Sequence, residues 1–193
     1  MKSVLREIYS FVTELFETIV TALAIFIVIN FFVAQLHQVY GASMYPSFKN
    51  GEYLLTDKLT YRFREPVRGE VVIFVSPEAP NKDYIKRVVG LPGESIQIKN
   101  NEVLIFNDLN PNGFVLHESY LTKGTITVGK QSIPEGVKIK IPSDSVVVFG
   151  DNREYSADSR TWGFVKLDKI IGRSLVRLWP PDAISVIAHA DYK

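Results

Sequence analysis

The sequence predicts a mainly β protein: antiparallel strands in several sheets behind one N-terminal transmembrane helix. Three observations carry that expectation. A stretch without charge lies near the start, from Thr18 to Phe48. After Tyr40 the helical period disappears. From there on, short runs of β-branched and aromatic residues alternate with turn formers.

The helix comes first. Thr18 to Ala34 is almost wholly apolar (TIVTALAIFIVINFFVA), and 18–39 forms a segment of 22 residues. At 1.5 Å per residue that is about 33 Å, against about 30 Å for the hydrocarbon core of a bilayer. A cleaved secretion signal is the competing reading. The apolar stretch exceeds the roughly 7–15 residues of such a signal's core. The preceding arm carries Glu7, Glu14 and Glu17 beside Lys2 and Arg6, and Phe32-Val33-Ala34 lacks the small-x-small pattern of a cleavage site. Residues 1–17 place Leu5, Ile8, Val12 and Leu15 at helical spacing and are read as an amphipathic arm. Lys2 and Arg6 favour a cytoplasmic N-terminus, because basic residues are retained on that side.

The strands follow. Val71 to Val75 is a short buried-type run. Ser95–Lys99 and Glu102–Phe106 alternate around Asn100-Asn101, a hairpin signal. Val137, Ile139 and Ile141 alternate again, and Val146 to Phe149 is a second buried-type run. Ile170 to Leu178 is the last strand, stopped by Pro180 and Pro181. Residues 107–136 hold many loop formers and no motif, and are read as a variable insertion within a β-rich unit spanning 40–193.

Composition narrows the chemistry. The 193 residues are 46% hydrophobic, enough for a sizeable core, and their formal charge of +1 gives no field for nucleic acid. Cysteine is absent, which removes thiol nucleophiles, disulfides and cysteine-ligated zinc together. The three histidines, His37, His117 and His189, are scattered, and no HExxH occurs, so neither a metal site nor another cofactor is expected.

Four clusters hold residues able to do chemistry. They are Gly41-Ala42-Ser43-Met44-Tyr45-Pro46, Arg68-Gly69-Glu70 with the strand after it, Tyr84-Ile85-Lys86-Arg87 running on to Gly93, and Gly150-Asp151-Asn152-Arg153 continuing through Ser156-Ala157-Asp158-Ser159-Arg160. Each has a bland reading. A serine before methionine is commonly a loop residue, a lysine at a strand end commonly a solvated one, and the fourth cluster can be a turn held by Asp–Arg pairing.

Together and in this order, the four clusters resemble the bacterial type I signal peptidases, Ser–Lys serine proteases. The resemblance covers residue 18 to about 180. It implies Ser43 as nucleophile and Lys86 as general base, with Ser156 orienting the lysine. Asp158 and Arg160 match a supporting pair and Asp151 a structural acid. Val39, Met44, Tyr84 and Ile85 fall where the family lines its pockets for small side chains. The resemblance further implies a plasma-membrane protein crossing once, with an extracytoplasmic peptidase domain. Its partners would be preprotein signal peptides with small residues before the cut, and the lipid bilayer. At Gly41 many relatives carry a serine whose hydroxyl helps bind the oxyanion. The expectation is that Gly41→Ser keeps activity or raises it modestly; the alternative is that glycine is needed for a positive φ. Two other readings stay open: a membrane-tethered β-domain that only binds partners, and a pilus or transfer-system peptidase on the same fold.

Overall fold

The computed structural model describes residues 2–190 and 192. The chain begins with helix α1 (Lys2–Val28), which passes through one turn of π-helix (Ile29–Val33) straight into a strand. Twelve strands follow: β1 (Ala34–Gln38), β2 (Tyr53–Asp57), β3 (Val71–Val75), β4 (Asp83–Gly90), β5 (Ser95–Lys99), β6 (Glu102–Asn107), β7 (Asn110–Val115), β8 (Ile139–Lys140), β9 (Ser145–Phe149), β10 (Val165–Lys166), β11 (Ile170–Trp179) and β12 (Ser185–Val186). A single helical turn, α2 (Ser159–Trp162), lies between β9 and β10. The expected mainly β, multi-sheet architecture is therefore found.

The helix boundary differs from the sequence reading, which carried it to Val39. Ala34 is already extended, at φ −151° and ψ 145°, and Ala34–Gln38 pairs with Tyr53–Asp57 as an antiparallel ladder. Lys58, just past β2, decides where the helix stops. Its backbone N–H donates to the Val33 carbonyl at 2.9 Å, and its ammonium donates to the Asn30 carbonyl at 3.4 Å. The last carbonyls of a helix need such partners. α1 is also unbroken between residues 17 and 18, so the arm and the apolar segment form one rod. Val4–Val33 is long and apolar enough to cross a membrane, and none of its most apolar stretch is buried against the rest of the chain.

The larger sheet runs β1-β2-β11-β3-β4-β9-β10, with β12 alongside β11. The smaller runs β7-β6-β5-β8. The turn between β5 and β6 is the expected one: Asn100 and Asn101 both have positive φ, 54° and 66°, as a two-residue hairpin of this hand requires. The middle of the larger sheet is buried on both faces, which is why β3 and β9 read as continuous apolar runs. Val71 and Ile73 face a core shared with Val39, Met44, Phe48, Leu54 and Ile85. Val72 and Phe74 face another, with Val88, Val146, Val148 and Val165. Val147 and Phe149 turn to a third core, which the smaller sheet completes with Ile96, Ile98, Val103 and Ile105.

Residues 107–136 are more than a loop. Asn110–Val115 forms β7, and Leu116 and Ile133 are buried in the third core.

Candidate active site

Two strands and two loops build the site. β1 delivers the chain to a turn at residues 41–47, which holds Ser43. Asn152 fastens that turn: its N–H donates to the Ser43 carbonyl and its side-chain amide to the Ala42 carbonyl, each at 3.0 Å. Gly150 lets the two loops meet, because a Cβ there would strike both the Ser43 carbonyl and the Ser156 side chain. Gly41 has φ +83°, a left-handed conformation, and its N–H donates to Asn50 Oδ1 at 2.8 Å. The glycine is therefore required by the backbone, and tolerance of serine at this position is not what the geometry supports.

Lys86 comes from the middle of β4. Its amine donates to Ser43 Oγ at 2.9 Å and to its neighbour Ile85's carbonyl at 2.9 Å. The side chain is buried, and burial lowers its pKa from an ordinary 10.5 to about 8. The carboxylates of Asp158 and Asp151 act in the opposite direction but do not win. A lysine so poised is neutral in a useful fraction of molecules near neutral pH. Only the neutral form can take a proton from a hydroxyl.

Three buried arginine–carboxylate pairs lie behind the pair. Asp158 receives Arg160 Nε and Nη2, both at 2.8 Å, and the Gly150 N–H at 3.1 Å. Burial alone would raise the pKa of Asp158, but Arg160 and these donors outweigh it and hold the acid below its usual range. Asp158 also caps α2 through the Arg160 N–H. Asp151 receives Arg87 Nε at 2.9 Å and Nη2 at 2.6 Å. Arg153 donates to Glu118 Oε2 at 2.8 Å and to the Gly150 carbonyl at 3.1 Å.

The sequence did not single out Arg87, Arg153 or Glu118 as working parts. The arginines stood inside quoted clusters, next to Lys86 and Asp151. Glu118 gave no signal, because its partner lies 35 residues away.

Ser156 lies beside the Ser43 carbonyl, across Gly150, but the hydrogen bond to Lys86 that the resemblance implied is not made. Its hydroxyl is buried without a hydrogen-bond partner. It lies close enough to Asp158 to help lower that acid's pKa, and it makes no bond to Lys86.

A groove of about 810 Å³ runs beside the pair, and Ser43, Lys86, Val39, Tyr84 and Ile85 line it. Met44 does not; it is 1% exposed, inside the core with Phe48 and Leu54. Met44 is thus a core residue, because the turn after Ser43 points it inward. The groove has two strand edges for walls. Among the described residues β1 ends the sheet and pairs only with β2. β9 pairs with β4 only from Arg87 to Gly90, so Asp83 to Lys86 keeps an edge without a strand partner. At the far end His37 Nε2 approaches Asp83 Oδ2 at 3.6 Å, and its other ring nitrogen is 2.8 Å from Thr56 Oγ1.

A serine hydroxyl against a buried amine beside an open strand edge is the geometry that a serine peptidase with a lysine base requires. A family model described as "Signal peptidase, peptidase S26" matches residues 12–179. Signal peptidase I of Leptolyngbya laminosa is 37% identical over 174 residues, covering 85% of this chain and 78% of that protein. A probable signal peptidase I-2 of Synechocystis is 35% identical over 179 residues, covering 90% and 76%. Signal peptidase IB of Staphylococcus aureus is 32% identical over 176 residues, covering 86% and 91%. The chain belongs to the signal peptidase family of serine peptidases, which removes signal peptides.

Proposed function

We propose that the protein is a membrane-anchored endopeptidase that cuts signal peptides from exported preproteins, with Ser43 as nucleophile and Lys86 as general base. The observation that carries this is the 2.9 Å contact between Lys86 Nζ and Ser43 Oγ, with the amine buried. Lys86 takes the Ser43 proton as the hydroxyl attacks the scissile carbonyl. The lysine then gives that proton to the departing amine, and water hydrolyses the acyl-enzyme with the same base. The oxyanion faces the N–H of Ser43. Asp158, Arg160 and Asp151 support the loop behind the pair.

The substrate enters as an extended chain between the edges of β1 and β4, where main-chain hydrogen bonds supply register and affinity. Val39, Tyr84 and Ile85 leave shallow room, which suits small side chains before the cut. α1 anchors the enzyme in the plasma membrane in a single pass, its N-terminus cytoplasmic and the β-rich domain outside. β1 starts where the apolar helix ends, so the groove lies near the bilayer surface, where the end of a signal peptide emerges.

Cleavage of an exported preprotein by detergent-solubilised enzyme, with N-terminal sequencing of the product, tests this reading. The wild type should cut once, after a small-x-small sequence. Folded Ser43→Ala and Lys86→Ala variants should not cut. Cleavage by the Ser43→Ala variant would refute the assignment.

A further inference from the structure

A second cleft, of about 500 Å³, borders the turn that follows Ser43. Tyr45 and Pro46, the residues just after the serine turn, form one wall. Asn152, which holds the Ala42 and Ser43 carbonyls, belongs to its lining. The opposite wall is Thr122, Thr125, Ile126 and Val128, from the segment that the sequence presents as a motif-free insertion. Ile126 is 56% exposed and Val128 47% exposed, although both sit beside a polar loop.

The direction of the chain says what this cleft is for. β1 leaves α1 at Ala34 and reaches Ser43 by way of Gln38, so the first groove occupies the helix side of the serine. Tyr45 and Pro46 continue away from the helix. A substrate that enters from the membrane along β1 and β4 has its scissile bond at Ser43. The residues following that bond must leave on the Tyr45 side.

We infer that this cleft is a binding site for the first residues of the mature protein, those just after the scissile bond, and that Ile126 and Val128 give it a preference for uncharged side chains. Arg153 and Asp151 in its floor are engaged with Glu118 and Arg87, so the charges left to a substrate are two of opposite sign in the lining, Glu154 and Lys130. Lys130 at the rim donates to the Ser156 carbonyl at 2.8 Å, which ties the wall to the catalytic loop. The inserted segment therefore sets specificity on the product side of the cut. This rests on the Ser43 assignment above.

The test uses full-length enzyme in detergent and two peptides that share the same residues before the cut. One ends one residue after the scissile bond, and the other carries four more uncharged residues. Binding energy from such remote residues should raise kcat/KM for the longer peptide by about tenfold. Ile126→Asp and Val128→Asp should bring the ratio of the two kcat/KM values toward unity, with melting temperatures unchanged. A longer peptide with acidic residues in the added part should lose the gain in the wild type. An equal rate for both peptides in the wild type would overturn the inference, as would a ratio undiminished in both variants. Ser43→Ala cleaving either peptide, or wild type cleaving neither, would instead bring down the proposed function, and this inference with it.

Discussion

Arg160 grips Asp158 with two nitrogens, Nε on one carboxylate oxygen and Nη2 on the other, each at 2.8 Å, and both side chains are fully buried. The same guanidinium donates to the Arg153 carbonyl at 2.6 Å. The pair thus closes the loop that carries Ser156 and backs Lys86. Removing one member leaves an uncompensated charge in the interior, which costs roughly 3–5 kcal/mol. Arg160→Ala should therefore melt well below wild type and lose activity as the loop loosens. Asp158→Ala with Arg160→Ala should melt above the single arginine variant, because no lone charge remains. Equal melting of wild type and Arg160→Ala would contradict this role.

Gly41→Ser is expected to harm the enzyme. The space beside Gly41 is open, with no atom within 4 Å of an added Cβ, so the obstacle is conformational. A side chain at φ +83° costs about 1–2 kcal/mol. Gly41→Ser and Gly41→Ala should lose similar stability and similar turnover. If serine raises kcat where alanine lowers it, the hydroxyl is supplying an oxyanion contact despite the strain.

Some of this was legible in the sequence and some was not, for physical reasons. The Asn100-Asn101 hairpin, the buried strands β3 and β9 and the end of β11 at Pro180 follow from local chemistry. The Ser43–Lys86 pairing came through the resemblance, not through spacing. The start of β1 was hidden, because Ala34 to Val39 has no charge or breaker to stop a helix, and pairing with β2 decides the matter. β7 was hidden as well, because Asn110-Pro111-Asn112-Gly113 reads as a turn and becomes a strand only beside β6. Glu118 was illegible because it acts only through Arg153, far along the chain.

Glu118→Ala tests that last partnership. Arg153 is 1% exposed, so loss of the carboxylate strands its charge. A destabilisation of several kcal/mol is expected, again in the range of about 3–5. A melting temperature within a degree or two of wild type would show that the insertion does not hold the catalytic loop.

Lys86 costs the fold stability at neutral pH. Its folded pKa is lowered, so the folded state resists the proton that the unfolded chain accepts. Below about 8 both states carry the charge and the full cost is present. It amounts to about 3 kcal/mol for a shift from 10.5 to about 8. Lys86→Met removes it but also removes two hydrogen bonds, which returns about 1–2 kcal/mol. The variant should be the more stable at pH 7, by about 1–2 kcal/mol on this reckoning. Its advantage should shrink, then reverse, as pH rises from 8 to 10.5, where the wild-type lysine is neutral only when folded. Urea unfolding across that range measures the difference. A constant difference would mean that Lys86 is not desolvated in the native state.

The same lowered pKa must appear in the rate. If neutral Lys86 is the base, kcat/KM should fall on the acidic side, tenfold per pH unit, with its midpoint near the free enzyme's value of about 8. Asp158 stabilises the protonated lysine through space, so a folded Asp158→Asn enzyme should carry that midpoint to lower pH. The shift should appear even if the variant's maximal rate is reduced, which separates an electrostatic effect on Lys86 from simple loosening of the loop. Lys86→Arg should be inactive at every pH, since a guanidinium stays charged and cannot accept the proton. Initial rates on one preprotein, with circular dichroism to confirm folding, decide the matter. A folded Lys86→Ala enzyme that cuts at the wild-type rate would end the Ser–Lys mechanism. An acidic limb unmoved by Asp158→Asn would place the titrating group elsewhere, because no other charge is set so directly against Lys86 as the carboxylates of Asp158 and Asp151.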